Sequence, residues 1–327
     1  MRTLGKTNIK VNEVGLGGIP IQHTNQNLVC EIINKMIERN MNFIDTARGY
    51  TISEELIGNA IKDKREKFIL ATKSMARTYD GMKSDIEISL KKLQTDYIDL
   101  YQLHNVQLKD DISGAIKALE EAKVFGKVKH VGITTHSLEV LKREVERNIF
   151  ETIQFPYNIV ENQGEELFKQ AKEKNIGIIV MKPLAGGAID NGKLAIKYIL
   201  NNENISVVIP GMDSIKQIEE NSSTEKSEFT LDEMNQINEL RTKLDTNFCR
   251  RCGYCQPCPI GINIPLMFLC EGYYLRYDLK EWALSRYNSM TVKPSQCIKC
   301  GQCESRCPYN IRIRERINEI VAIMEEN

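Results

Sequence analysis

Residues 43–74 read FIDTARGYTISEELIGNAIKDKREKFILATKS, and they contain two strand-sized apolar segments separated by a segment with helical periodicity. The first apolar segment is residues 43–45 and the second is residues 68–72. Between them, EELIGNAIKDK places its apolar residues at the spacing of an amphipathic helix. A helical crossover of this length joins parallel strands. The stretch therefore predicts one βαβ unit.

The same alternation of strand and helix recurs through roughly the first two hundred residues. Further helical segments are NLVCEIINKMIERN, MKSDIEISLKKLQ, DISGAIKALEEAKVFG and GEELFKQAKEKN. Eight strands are predicted, at residues 14–17, 43–45, 68–72, 97–103, 129–133, 152–155, 177–181 and 207–209. Eight βα units in about 230 residues predict an α/β fold, a (β/α)8 TIM barrel, because a doubly wound sheet seldom has so many parallel strands. The opening RTLGKTNIKVNEVG is predicted to form a hairpin that closes the bottom of the barrel.

Four ionisable residues follow three successive strands of the predicted barrel. Strand two ends in IDTARGY with Asp45 and Tyr50, strand three ends in ILATKS with Lys73, and strand four ends in YQLHN with His104. In such barrels the catalytic groups lie at the C-terminal ends of the strands. A buried ion pair between Asp45 and Lys73 that only stabilises the rim is the structural alternative. Four such groups at one mouth favour a catalytic site, because burying ionisable side chains is costly.

The chemistry of these four groups suits proton transfer to a carbonyl. A phenol has an ordinary pKa of about 10, and an adjacent ammonium lowers it. We therefore expect Lys73 to lower the pKa of Tyr50, and Asp45 to keep Lys73 charged and oriented. His104 is expected to donate a hydrogen bond to a carbonyl oxygen or to assist the proton transfer. A reduction at this site also requires a source of hydride.

Eight of the ten cysteines lie in two runs in the last eighty or so residues, CRRCGYCQPCP from Cys249 and CIKCGQCESRCP from Cys297. Three cysteines at three-residue steps, with a later cysteine before proline, are typical of two-cluster ferredoxins, in which the last cysteine ligates the other cluster. The sequence thus predicts two [4Fe–4S] clusters. One is assigned to Cys249, Cys252, Cys255 and Cys307, and the other to Cys258, Cys297, Cys300 and Cys303.

Disulfides and structural zinc are the alternatives for these cysteines. The N-terminal MRTLGKTNIKVNEVG lacks the apolar core of a signal peptide, so we expect a cytoplasmic protein in a reducing compartment, where disulfides are rare. Zinc sites usually use two separated CxxC pairs. The unbroken runs fit iron–sulfur clusters better. The remaining cysteines, Cys30 and Cys270, lie in apolar segments and are predicted to be small buried hydrophobic residues.

Length and charge limit the domain organisation and the partners. The 327 residues suffice for a large domain and a small one, predicted as residues 1–245 and 246–327, the second being mostly helical and ferredoxin-like. The 44 Lys and Arg residues equal the 44 Asp and Glu residues, so neither nucleic acid nor an acidic membrane is an expected partner. The longest apolar runs are strand-sized, so no membrane span is predicted.

The chain resembles the aldo-keto reductase family, and more closely its ferredoxin-tailed members. The motifs that carry the resemblance are FIDTARGY, LATKS, LHN, IQFPYN, MKPLAGG and VVIPGMDSIKQIEEN. The resemblance implies that Asp45, Tyr50, Lys73 and His104 form the catalytic tetrad. It also implies binding of NADP or NAD. The implied nucleotide contacts are Gln154 to the nicotinamide amide, Leu184 and Gly186 beside the pyrophosphate, and Ser214, Gln217 and Asn221 at the adenosine end.

Three functions remain open from the sequence. The first is a nicotinamide-dependent reductase of a small carbonyl compound, or dehydrogenase of an alcohol, whose clusters transfer electrons or stabilise the fold. The second is an electron-transfer protein that links a pyridine nucleotide or a flavin to an external ferredoxin or flavodoxin. The third is a redox or iron sensor on a barrel scaffold, which the complete tetrad disfavours.

Overall fold

A computed structural model describes residues 1–325, and these residues fall into two structural units. Unit 1 comprises Met1–Leu184 and Asn191–Glu228, and unit 2 comprises Ala185–Asp190 and the residues from Phe229 onward. The predicted division between residues 245 and 246 stays a prediction. The last two residues of the predicted domain 246–327 lie outside the described residues.

Unit 1 is built around a barrel of eight parallel strands, β3 to β10, which neighbour one another in chain order. A two-stranded antiparallel hairpin, β1 with β2, precedes them. Val14 pairs with Val208 and Gly17 with Gly211, so the first and last barrel strands meet and the barrel closes. The strands are β1 (Arg2–Thr3), β2 (Lys10–Val11), β3 (Leu16–Gly17), β4 (Phe43–Asp45), β5 (Ile69–Ser74), β6 (Ile98–Leu103), β7 (Val128–Thr134), β8 (Thr152–Pro156), β9 (Gly177–Met181) and β10 (Val207–Val208).

The predicted (β/α)8 fold is confirmed, and each predicted strand has a counterpart whose ends differ by at most two residues. Strand β3 is shorter than predicted because its junction with β10, here called the seam, consists of two isolated bridges rather than a continuous ladder. The two backbones lie close together at the seam. A Cβ atom at Gly17 would lie 2.7 Å from the carbonyl oxygen of Ile209, so only glycine allows the two backbones to approach this closely.

Eight α-helices of unit 1 surround the barrel. Five of them begin with a side chain that accepts a hydrogen bond from a backbone N–H of the first turn, which stabilises the helix start; the capping residues are Asn25, Thr78, Ser137, Asn191 and Ser214. The helices are α1 (Gln26–Glu38), α2 (Ser53–Ile61), α3 (Tyr79–Leu93), α4 (Ser113–Val124), α5 (Leu138–Arg147), α6 (Glu165–Glu173), α7 (Gly192–Leu200) and α8 (Ile215–Ser222).

The hairpin of β1 and β2 lies at the N-terminal ends of the barrel strands. Lys6 N donates to Asn175 O at 2.6 Å, just before β9 begins. Arg2 donates to three backbone carbonyls between α7 and β10, those of Leu200, Asn202 and Ile205. Leu4 and Val11 of this hairpin join the apolar cluster that fills the inside of the barrel. The hairpin therefore closes the end of the barrel opposite to the predicted site.

Unit 2 is helical. Its helices are α9 (Leu231–Leu244), α10 (Ile264–Arg276), α11 (Lys280–Asn288), α12 (Gln302–Ser305) and α13 (Ile313–Met324). Buried side chains of α10, α11 and α13, among them Phe268, Tyr287 and Ile320, form one apolar core, and cysteines of both runs pack against it. No helix among the described residues is long and apolar enough to cross a membrane.

Candidate active site and cysteine cavities

A buried ion pair occupies the C-terminal ends of β4 and β5. Lys73 Nζ donates to Asp45 Oδ2 at 2.5 Å and to the backbone oxygen of Thr46 at 2.8 Å. Both side chains are almost completely buried. Burial raises the pKa of Asp45 and lowers the pKa of Lys73, while the attraction between the two charges opposes both shifts. The pair fixes one ammonium group in a defined place at the mouth of the barrel.

Tyr50 and His104 lie beside this pair. Lys73 Nζ is 4.9 Å from the centroid of the Tyr50 ring. The rings of Tyr50 and His104 meet edge to face, with centroids 5.9 Å apart. Tyr50 is 8% exposed, so most of its ring is buried. The structure therefore brings together all four side chains that the sequence analysis selected; their catalytic roles stay predictions.

The loop that carries Tyr50 is held by its own backbone. Tyr50 N donates to Ala47 O at 3.0 Å, and Ser53 N donates to Tyr50 O at 2.8 Å. The Ser53 hydroxyl lies 2.9 Å from that of Thr46 and also donates to Gly18 O. Because these bonds tie the loop to β4 and to the start of α2, the phenol has little freedom to move.

Two buried glutamines flank Asp45, and the sequence analysis missed one of them. Gln102 Nε2 donates to Asp45 Oδ1 at 3.2 Å, and Gln154 is also hydrogen-bonded to this carboxylate. Gln102 lies on β6 and His104 directly follows the strand, so the two-residue period of a strand puts both on one face. The alternation within YQLH carries this signal in the sequence.

The sixth barrel strand offers an acceptor for a bound group. Gln154 Oε1 is buried and has no hydrogen-bond partner among the described residues. A buried acceptor without a partner is costly, so this oxygen suits a ligand that donates a hydrogen bond, such as a carboxamide. The nicotinamide amide that the sequence resemblance assigned to Gln154 is such a group, and Gln154 therefore fits it.

The other predicted nucleotide contacts lie after β9 and β10. Ser214 caps α8, and Gln217 Oε1 accepts from Asp213 N at 2.7 Å, so both side chains also order the helix start. Asn221 is buried, and its Oδ1 lies next to Gly192 together with Leu184 Cδ2. The structure thus gathers these four residues in unit 1.

Gly186 belongs to unit 2, in the segment Ala185–Asp190. Ala185, Gly186 and Gly187 all have positive φ angles, of 49°, 65° and 80°. Gly186 O accepts a hydrogen bond from Arg276 Nε at 2.9 Å. The two glycines suit this conformation, because positive φ angles cost glycine little.

Two cavities in unit 2 gather the eight cysteines. One cavity is lined by Cys249, Cys252, Cys255 and Cys307. Another is lined by Cys258, Cys297, Cys300 and Cys303. Each cavity therefore combines three cysteines of one run with the last cysteine of the other, in the two sets that the sequence predicted. Cys30 and Cys270 line neither of these cavities.

The chemistry of these cavities fits [4Fe–4S] clusters. Four thiols face each cavity, as four-cysteine ligation of such a cluster requires, and the remaining walls include apolar side chains such as Phe268 and Ile317. Burial raises the pKa of the Cys249 and Cys255 thiols to about 12 in the protein without metal. Deprotonated sulfur there needs a compensating cation, and ligated iron supplies one.

The cysteines are not arranged around a single ion. Among residues 1–325, no three His, Cys, Asp or Glu side chains lie close enough together to ligate one metal ion. In a cubane cluster each cysteine binds a different iron atom, so its four ligands stand farther apart than the ligands of one ion. Lys299 N donates to Cys297 Sγ at 3.4 Å, and hydrogen bonds of this kind tune the potential of a cluster.

Two family models match the chain. One, described as the Aldo/keto reductase family, matches residues 13–194, which is more than half of the chain. The other, described as a 4Fe-4S dicluster domain, matches residues 248–312. The first lies within the part of the chain that forms the barrel, and the second covers all eight cysteines of the two runs.

Similar proteins include both an uncharacterised and a named oxidoreductase. The uncharacterised oxidoreductase YqkF of Bacillus subtilis (strain 168) is 33% identical over 202 residues, which cover 58% of this chain and 66%, slightly less than two thirds, of the relative. The L-galactose dehydrogenase of Arabidopsis thaliana is 28% identical over 276 residues, covering 68% of this chain and 86% of the plant protein.

Among solved structures, the aldo-keto reductase AKR11C1 from Bacillus halodurans in its holo form superposes with a TM-score of 0.66 at 28% sequence identity. The superposition covers 73% of this chain and 95% of the other. A putative aldo-keto reductase from Pseudomonas aeruginosa shares the fold, with a TM-score of 0.63 at 23% identity over 68% of this chain and 92% of the other.

Proposed function

Because the chain belongs to the aldo/keto reductase family, we propose that it is a nicotinamide-dependent oxidoreductase that reduces a carbonyl group or oxidises the corresponding alcohol at the mouth of the barrel. We further propose that the eight cysteines of the two runs hold two [4Fe–4S] clusters. The observation that carries the first part is the series of neighbouring side chains at the mouth, in which Lys73 contacts Asp45 and the Tyr50 ring, and the Tyr50 ring meets that of His104.

In this proposal Tyr50 is the proton donor. The Lys73 ammonium favours the phenolate that forms when Tyr50 gives up its proton, because opposite charges attract strongly in a buried site. Asp45 holds Lys73 in place, and Gln102 in turn holds Asp45. The His104 imidazole, at the edge of the Tyr50 ring, orients the carbonyl oxygen by a hydrogen bond. A bound nicotinamide supplies or accepts the hydride.

The nucleotide is NADP or NAD in this proposal. Gln154 Oε1 is the acceptor for the nicotinamide amide, and the start of α8 holds the adenosine end. A 2′-phosphate is usually recognised by a cation. Lys216 is the nearest cation in the α8 segment, and its ammonium lies 3.8 Å from Glu220. The two nucleotides therefore have to be compared directly.

A labelled hydride tests the proposal. Protein prepared without oxygen is mixed with NADH or NADPH that carries deuterium at the transferable position, together with a panel of small aldehydes and ketones. We expect substrate-dependent oxidation of the nucleotide, with one deuterium on the carbinol carbon of the alcohol product, because the hydride moves directly. Nucleotide oxidation without deuterium in any product, or no oxidation with any carbonyl, would contradict the proposal.

A second candidate function is electron transfer, and the exposure of one cavity favours it. Cys300 is exposed, and the neighbouring Ile298 is 61% exposed. Lys299 and Arg306 are exposed cations of the same cysteine run. An exposed apolar side chain and exposed cations in the segment that lines this cavity suit the docking of an acidic one-electron carrier, such as a ferredoxin or flavodoxin. In this alternative the barrel binds a pyridine nucleotide or a flavin.

Anaerobic stopped-flow mixing separates the two functions. A hydride donor gives two electrons together, whereas a [4Fe–4S] cluster accepts one at a time. We therefore expect that, in flavin-free protein, neither NADH nor NADPH bleaches the visible cluster absorption at a rate comparable with carbonyl turnover. Fast bleaching without flavin would contradict this expectation. Fast bleaching only after flavin is added would favour the electron-transfer function.

A further inference from the structure

One partly buried ion pair next to the tetrad, between Arg48 and Glu54, has no part in the proposed mechanism so far. Glu54, at the start of α2, is 1% exposed. Its Oε2 accepts from Arg48 Nη1 at 2.9 Å, and its Oε1 accepts from the hydroxyls of Thr72 and Ser89, each at 2.8 Å. A carboxylate buried this completely is stable only when such partners compensate for lost water. The Arg48–Glu54 pair is therefore a fixed charge arrangement within the barrel wall.

Both partners of this pair are connected to tetrad residues. Arg48 lies two residues before Tyr50 on the same loop, and its backbone N donates to Lys73 O at 3.0 Å. Glu54 accepts from Thr72, the residue before Lys73 on β5. Burial lowers the pKa of Lys73, and the negative charges of Asp45 and then Glu54 oppose that shift. Glu54 thus acts on the same ammonium that faces the Tyr50 ring.

Other charged or titratable groups also face this region. Asp85 on α3 accepts a hydrogen bond from the Ser74 hydroxyl and lies 3.5 Å from Arg48 Nε. Tyr101 on β6 lies 3.3 Å from the Ser89 hydroxyl, and burial raises the pKa of this phenol well above its usual range, so it stays neutral. Asp45 and His104 complete the set. The fixed charges around Lys73 and Tyr50 are therefore three carboxylates and the Arg48 guanidinium.

We propose that the Arg48–Glu54 ion pair is a positioning device for Tyr50, which anchors the Tyr50 loop and places two opposed charges near Lys73 and Tyr50. The two charges act in opposite directions. Arg48 favours the phenolate and Glu54 opposes it, so the intact pair leaves control of the phenol to Lys73. The effect on turnover rests on the proposed role of Tyr50 as proton donor, but the effect on phenol ionisation does not.

Removing the charge of Glu54 and removing the charge of Arg48 should shift the pH at which Tyr50 ionises in opposite directions. Glu54→Gln keeps the size of the side chain: its amide oxygen can still accept from Arg48, and its NH2 can donate to the Thr72 and Ser89 hydroxyls, which can also act as acceptors. Arg48 also keeps Asp85 as a partner, so we expect the variant to fold and to lower the pH at which Tyr50 ionises. Arg48→Gln leaves Glu54 less compensated and should raise that pH. Coulomb's law at an effective dielectric constant of about 20 gives a shift of about 1 pH unit for a charge about 10 Å away. Arg48→Lys keeps the charge and should stay near the parent value.

The measurement is a nuclear magnetic resonance titration of holoprotein whose tyrosines carry carbon-13 at the phenolic carbon. Tyr50→Phe identifies the Tyr50 signal by its disappearance. Arg65→Gln is the matched control, because Arg65 and Asp99 form another partly buried ion pair, at 2.6 Å, at the N-terminal end of β6. We expect opposite shifts for Glu54→Gln and Arg48→Gln and none for Arg65→Gln.

Shifts of the same sign, or shifts no larger than that of Arg65→Gln, would overturn the proposal. The titration needs no substrate, so its failure is distinct from failure of the proposed reaction. If Tyr50 is also the proton donor, the upper pH limit of carbonyl reduction should move with the titration in each variant, because the donor must be protonated. Opposite titration shifts without any change in the pH profile would preserve the ion-pair proposal and remove Tyr50 from the reaction.

Discussion

Tyr50→Phe should reduce carbonyl turnover by about 10²-fold or more while nucleotide affinity stays nearly unchanged. The change removes one oxygen atom from a ring that contacts Lys73 and His104, and the ring keeps its packing. Only an interaction made in the transition state is lost, so kcat should fall and the dissociation constant of the nucleotide should not. Steady-state kinetics with the best carbonyl from the panel, and a fluorescence titration with the nucleotide, measure the two quantities.

Lys73→Met should be comparably damaging, because it removes the charge that favours the Tyr50 phenolate and leaves Asp45 buried without its partner. Tyr79→Phe is the control. Its hydroxyl donates to Glu121 between α3 and α4, so it removes a hydrogen-bonded phenol elsewhere in unit 1. Turnover retained in Tyr50→Phe would mean that the tetrad does not act in catalysis, and would favour the sensor function.

Pairs of cysteine replacements should distinguish crossed ligation, in which each cluster takes three cysteines of one run and one of the other, from ligation of each cluster by a single run. The two assignments differ by about four iron atoms per chain in each double variant. Anaerobically prepared protein should contain about eight iron and eight sulfide, from four cysteines per cluster. Cys252 and Cys307 line the same cavity although they belong to different runs. The double variant Cys252→Ala with Cys307→Ala should therefore lose only one cluster and keep about four iron atoms.

The contrasting double variant is Cys252→Ala with Cys258→Ala, which affects one run but both cavities. It should keep almost no iron. Ligation of each cluster by a single run predicts the reverse result for the two variants, so iron and sulfide analysis decides between the assignments. Cys270→Ala serves as the control, since this buried cysteine of α10 lines neither cavity, and it should keep all eight iron atoms. Stoichiometric zinc without sulfide in the parent protein would contradict both assignments.

The barrel was predictable because its signals are local. Each strand is a short apolar segment next to a helical one, so periodicity within about thirty residues was enough to find β4, α2 and β5. The seam between β3 and β10 was not readable in this way. Its pairing joins Gly17 to Gly211, far apart in the chain, and the length of β3 depends on that contact rather than on its own residues.

The candidate site also contains residues that local signals predict and residues that they do not. Asp45, Lys73 and His104 were selected because strand ends meet at one mouth, a rule that needs only the strand positions. Gln102 and the Arg48–Glu54 pair were missed, because their significance comes from contacts with residues on other elements. Ser89, for example, lies on α3 and reaches Glu54 across 35 positions of the chain. A single sequence does not show which buried polar side chains meet.

The sharing of each cavity between the two cysteine runs has a consequence for biosynthesis. The first run leaves the ribosome before the second has been translated, and at that stage neither cavity has its four cysteines. The barrel strands all precede both runs, so the barrel can finish folding before the cysteines of the second run have been synthesised. Under the crossed assignment, iron insertion is therefore a late maturation step, and a cell short of iron would accumulate chains with completed barrels and unmetallated cysteines.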